Sequence, residues 1–139
     1  MLASEIAEWI GNNITSCSFD TTGITGNVFI STLPNSPDTV VMVSEYGSIS
    51  DDKNPFDDIS VQVRVRGTRD PRVSYNIAKE IYDELHGLTN TVLISDGTRI
   101  VKVVAQNTPI DIGRDDNLRH EWTVNFQVEV YNSTSNRSY

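Results

Sequence analysis

Cys17 is the only cysteine in this 139-residue chain. No intramolecular disulfide can form, and a lone thiol suits a reducing compartment such as cytoplasm. Cys17 reads as a small apolar filler rather than a nucleophile. Histidine is equally scarce: His86 and His120 are the only two, without the paired Cys or His spacing of a structural zinc site. The purely apolar runs, such as residues 40–43, fall far short of the roughly 20 residues that span a bilayer. The start, with Glu5 and Glu8, lacks the basic and apolar regions of a secretory signal. No membrane partner is expected, and the sequons at Asn13, Asn132 and Asn136 carry no meaning without a secretory route.

Catalytic and cofactor motifs are also missing. Residues 22–26, TGITG, lack the lysine of a P-loop and the spacing of a dinucleotide fingerprint. No G-x-S-x-G elbow is present. Asp111, Asp115 and Asp116 around Gly113 do not fall at the alternating positions of a calcium loop. Asp51-Asp52 and Asp57-Asp58 pair carboxylates, but in a polar stretch with no cleft-like context, whereas acid–base catalysis needs positioned, desolvated groups. The expectation is no enzyme, no cofactor and no metal.

Basic residues are nearly absent from the first 60 positions. That part holds nine acids and one base, Lys53, while residues 61–139 hold ten of each, giving a net charge of −8. Such a chain has no broad footprint for gripping phosphates, so a nucleic-acid-binding module is the least favoured binding class. Surface acids for solubility are the simplest explanation of the charge.

What is present is clearest at residues 60–88, SVQVRVRGTRDPRVSYNIAKEIYDELHGL. Val61, Val63 and Val65 alternate with Gln62, Arg64 and Arg66, which predicts a half-buried strand. Asp70 followed by Pro71 starts a helix: the carboxylate accepts from first-turn amides, and proline at the first position forfeits no hydrogen bond. Val73, Ile77, Ile81 and Leu85 then form an apolar stripe with Ala78 and Tyr82 beside it, and Gly87 stands where a left-handed cap is needed. Residues 120–131 alternate throughout, with Trp122, Val124, Phe126, Val128 and Val130 on one face.

The remaining elements are read more coarsely. Leu2, Ile6, Trp9 and Ile10 give a first helix ending at Gly11-Asn12. Residues 27–33 and 39–46 read as strands separated by a turn at 35–38. Residues 47–58 are expected to be a long mobile loop. Residues 91–95 and 98–106 read as strands joined by a two-residue hairpin at Asp96-Gly97. Residues 109–118 read as a loop, and 132–139 as a flexible tail. The expected fold is a single α+β domain over residues 1–139. Its mixed, mainly antiparallel sheet has two helices packed on one face, in the order α-β-β-β-α-β-β-β.

Arg64, Arg66, Arg69 and Arg72 make the only basic cluster. It reads either as a solvated sheet face with intramolecular ion pairs, or as a contact with an acidic surface on a neighbouring subunit. The candidate interface set is Arg64, Arg66 and Arg69 against Asp51, Asp52, Asp57 and Asp58.

Residues 82–88, YDELHGL, close the helix in a way that resembles a family of tailed-bacteriophage proteins, the minor capsid or tail terminator proteins. The resemblance continues through the first helix with Ile6, Ala7 and Trp9, and through Leu33-Pro34 and Pro37-Asp38. It includes Glu45-Tyr46-Gly47 and residues 110–115 before the last strand, and so spans most of residues 2–131. These motifs are structural rather than catalytic, and identify relatives more securely than a task. The resemblance implies a virion protein of the tail–head neck, made in the host cytoplasm. It implies a ring of identical subunits, commonly a hexamer, that stops tail-tube growth. Its partners would be further copies of itself, the tail tube protein, and a head–tail connector or head-completion protein, with viral DNA passing through without specific binding. A head-completion or minor capsid role on the portal side is the alternative.

Overall fold

The alternation in residues 120–131 places the longest strand at the middle of the sheet. In the computed structural model, which describes residues 1–50 and 52–137 (for 48 and 49 the backbone only), that strand is β7 (His120–Tyr131). It is preceded by α1 (Leu2–Asn13), β1 (Val28–Ile30), β2 (Val40–Ser50), β3 (Phe56–Arg66), α2 (Pro71–Leu85), β4 (Thr89–Thr91), β5 (Arg99–Ala105) and β6 (Ile110–Arg114). The spatial order is β1-β2-β3-β7-β5-β4, with β6 also pairing β7. Only the β1–β2 pair is parallel among the described residues. The architecture is α+β in the expected element order, with one short strand, β6, added.

β3 and β7 pair along their whole lengths, so their side chains fall into matched rows. Val61, Val63, Val124, Phe126 and Val128 are fully or almost fully buried on one face, joined by Val41 and Val43 of β2 and Ile100 and Val103 of β5. Helices α1 and α2 cover that face with Leu2, Ile6, Ile10, Ile77, Ile81 and Leu85. Each such side chain contributes about 1.5–3 kcal/mol through burial. The opposite face carries neither helix. It holds a polar lattice in which Ser60 donates to Gln127, and Gln62 to Asn125. Asn125 in turn donates to Asn107, and Gln106 to Gln127.

The second helix follows its sequence signals. Asp70 accepts from the Arg72 N–H at 3.0 Å, Pro71 opens the helix, and Gly87 sits just past its end at φ +89°. Val73 lies at the margin of the stripe, 36% exposed, while Ser74 is buried and donates to the His120 carbonyl at 3.0 Å.

Several boundaries differ from expectation. α1 runs through Gly11 to Asn13. Gly11 is needed for space rather than termination: a Cβ there would lie 2.6 Å from the Phe19 Cβ and backbone N. The expected loop at 47–58 is largely strand. β2 and β3 form one long hairpin in which Ser48 pairs Ile59 and Ser50 pairs Asp57, with a bulge between Glu45 and Ser48. The strand expected at 91–95 is instead β4, ending at Thr91. Residues 92–98 join it to β5, so Asp96-Gly97 is not a two-residue hairpin. It is Asp96, not Gly97, that takes positive φ, +57°. Residues 110–114 of the expected loop pair with β7, and since β5 pairs with the other half of β7, β5 and β6 together act as one interrupted strand. Residues 132–137 of the expected tail fold back on the hairpin: the Asn132 N–H donates to the Pro55 carbonyl at 2.7 Å, and Thr134 bridges Arg137.

Candidate functional site

The candidate interface residues lie at the two ends of β3. Asp57 and Asp58 begin that strand, Arg64 and Arg66 end it, and Asp52 and Arg69 lie just beyond it on either side. A strand rises about 3.4 Å per residue, so its acidic start and basic end lie roughly 30 Å apart within one subunit. Asp51 lies outside the described residues.

At the basic end, Arg64 donates from Nε and Nη2 to the two carboxylate oxygens of Glu121, at 2.9 and 3.1 Å. Such a bidentate pair fixes both side chains. Arg66 is 2% exposed and turned inward. It donates to the carbonyls of Asp38 (2.9 Å), Pro34 (2.6 Å) and Pro37 (2.7 Å), pinning the turn before β2. Burial, and secondarily the nearby Arg119, lowers the Arg66 pKa below its ordinary value. The donors of Arg66 are therefore engaged within its own chain, and no surface remains through which it could meet a neighbour.

Arg119 grips the same turn from the other side. It donates to the Asn35 carbonyl (2.6 Å) and side-chain oxygen (2.9 Å), and to the Asp115 carboxylate (2.9 Å). Burial works to raise the Asp115 carboxyl, but hydrogen bonds from the Arg119 backbone and side chain and from the Asn117 N–H hold it below the ordinary range. Alternation and helix signals do not single out Arg119, although the four-residue step from Asp115 to Arg119 is a readable sign of the pair. Arg69, by contrast, is exposed and makes no hydrogen bond or ion pair with the described residues. It lines a polar cavity of about 510 Å³ together with Asn35, Ser36, Asp38, Thr68, Asn117 and Arg119.

At the acidic end, Asp57 accepts from Ser50 Oγ (2.8 Å) and Asn132 Nδ2 (3.1 Å), and pairs with Arg137 at 2.9 Å. The Arg137 hydrogen bond, followed by those of Asn132 and Ser50, lowers its pKa. Arg137 also donates to the carbonyls of Asn54 and Phe56. Asp57 and Asp58 take opposite faces of the sheet, as neighbours on a strand must. Asp58 sits directly across from Glu129, and neither makes an ion pair with the described residues. Asp52 is exposed and likewise without an ion pair among them.

Elsewhere the chemistry is quiet. Burial raises the Cys17 thiol to about 11. His86 Nδ1 accepts from the Ala105 N–H at 2.9 Å, and His120 Nε2 lies 2.6 Å from Asp111. Among the described residues no group of three or more His, Cys, Asp or Glu is placed to hold a metal ion. No described helix is long and apolar enough to cross a membrane.

A family model described as "Bacteriophage tail terminator protein" matches residues 11–132. The chain belongs to this family. It is a phage tail structural protein, and its place is in the virion. No curated protein matches the chain. The matched span begins within α1 and ends just after β7, so it takes in the whole sheet and the turn held by Arg66 and Arg119, while Arg137 lies beyond it.

Proposed function

We propose that this protein closes into a ring at the head-proximal end of the tail tube, halts tube growth there and offers a surface to the head connector. Membership of the tail terminator family across residues 11–132 carries this reading. The charge distribution supports it. A ring of identical subunits needs heterologous contacts, in which one patch of a subunit meets a different patch of the next. Exposed Arg69 just beyond one end of the β2–β3 hairpin and the acidic groups at its other end supply two such patches. The net charge of −8 also disfavours adhesion of DNA moving through the opening.

The test is imaging of the purified protein alone and with tail tubes. Closed rings with a central opening, seated at tube ends, are the expected result. Protein that stays monomeric in the presence of tubes and never marks their ends would overturn the proposal.

A further inference from the structure

We infer that neighbouring copies in the ring are joined by Arg69 of one copy and the carboxylates Asp52 and Asp58 at the hairpin end of the next; this rests on the ring reading above. The occupant of the Arg69 cavity is a second copy of this chain. The inference comes from which charges the fold leaves over. Of the basic residues at the end of β3, Arg64 is paired with Glu121 and Arg66 with three carbonyls. Arg72 is paired with Asp70, and Arg119 with Asp115 and Asp38. Arg69 alone in this group has no partner among the described residues. It stands at a polar cavity whose other charged walls, Asp38 and Arg119, already pair with each other.

The acidic end shows the complementary excess. Arg137 neutralises Asp57. Asp58 and Glu129, directly opposite on β3 and β7, make no ion pair among the described residues, although Lys102 of β5 stands across from Glu129 on its other side. Lys102 offsets Glu129 from that side, but Asp58 pairs only with Ile49 and Glu129 across the sheet. Like charges directly opposite destabilise a sheet, so a cation brought to Asp58 by a neighbour would relieve a cost the isolated subunit bears. Asp52 adds a third carboxylate at the exposed hairpin tip. Because donor and acceptor lie at opposite ends of one strand, the contact cannot close within a subunit, and repeated head to tail from copy to copy it is the heterologous kind of contact that builds a ring.

The test uses the full chain in three forms: Arg69→Glu, Asp52→Arg with Asp58→Arg, and all three substitutions together. Assembly is followed by native mass spectrometry and sedimentation, with folding checked by circular dichroism. Each charge-reversed form should associate on the order of tenfold or more weakly than the natural chain, and the three-site swap should recover association. Mixing the two charge-reversed forms restores opposite charges at every contact between unlike copies. The new glutamate of one form meets the new arginines of the other, and the natural Arg69 of the second meets the natural Asp52 and Asp58 of the first. Rings of alternating copies should therefore form where neither form assembles alone. Association should also weaken with added salt. If the natural chain forms rings and Arg69→Glu forms them equally well, the contact is wrong while the ring stands. If the natural chain forms no ring with or without tail tubes, the ring reading itself fails and the contact with it.

Discussion

Glu5 of the first helix accepts hydrogen bonds from both the backbone N–H and the hydroxyl of Thr98, the residue just before β5. Glu5 is 8% exposed, so this carboxylate ties α1 to the far part of the sheet from inside the fold. Replacing it by alanine leaves the Thr98 N–H without its acceptor. We expect Glu5→Ala to lower stability by about 2–3 kcal/mol, the scale of a buried hydrogen bond to a charged group, and Glu5→Gln to lower it less. Urea unfolding of the three proteins checks the order.

Gly11 offers a prediction whose sign opposes helix propensity. At an ordinary interior helix position, alanine is better than glycine by about 1 kcal/mol. Here the added Cβ would come within 2.6 Å of the Phe19 backbone nitrogen, which is not the end of a flexible side chain. Gly11→Ala should therefore reduce the melting temperature. An increase would mean that the segment after α1 is free to move away.

Arg66 should behave as a structural residue, not as an assembly residue. Its guanidinium reaches three carbonyls of one turn, a geometry that the single ammonium of lysine cannot reproduce. Arg66→Lys should cost about 2–3 kcal/mol in stability. Association per folded molecule should stay unchanged, in contrast to Arg69→Glu. Unfolding curves and sedimentation on the same samples separate the two effects.

Asp57 links the hairpin to the C-terminal segment in a pH-dependent way. Its folded pKa lies below the ordinary 3.8 because Arg137, Asn132 and Ser50 hydrogen-bond the carboxylate. The sign follows: this stabilisation is fully present above the unfolded-state pKa and is lost as pH falls through the lowered folded value. Arg137→Gln should move the Asp57 carboxyl back toward 3.8 in an NMR titration. No upward movement would mean that the Arg137 contact is not formed in solution.

Much of this fold is legible from local pattern alone. The cap at Asp70, the proline at 71 and the glycine at 87 each have a local cause, and the helix lies where they place it. The even alternation in 120–131 marks the central strand because both its neighbours demand one apolar face. The misplaced segments lack such local causes. Residues 47–50 and 56–58 are mostly small, polar or acidic, yet extend β2 and β3 because those strands already pair in register. Residues 110–114 become β6 only because β7 has an open edge there. The identity of the interface is the least legible part. The sequence groups Arg64, Arg66, Arg69 and Arg72 as equals, and only the folded chain separates them. Glu121, three carbonyls and Asp70 engage three of them, and Arg69 is left over among the described residues.

The most direct test of the terminator role is electron microscopy of phage particles assembled without this protein. If the chain ends the tail, such lysates contain tails of excessive and variable length beside separate, filled heads. Tails of normal length joined to heads would contradict the role outright.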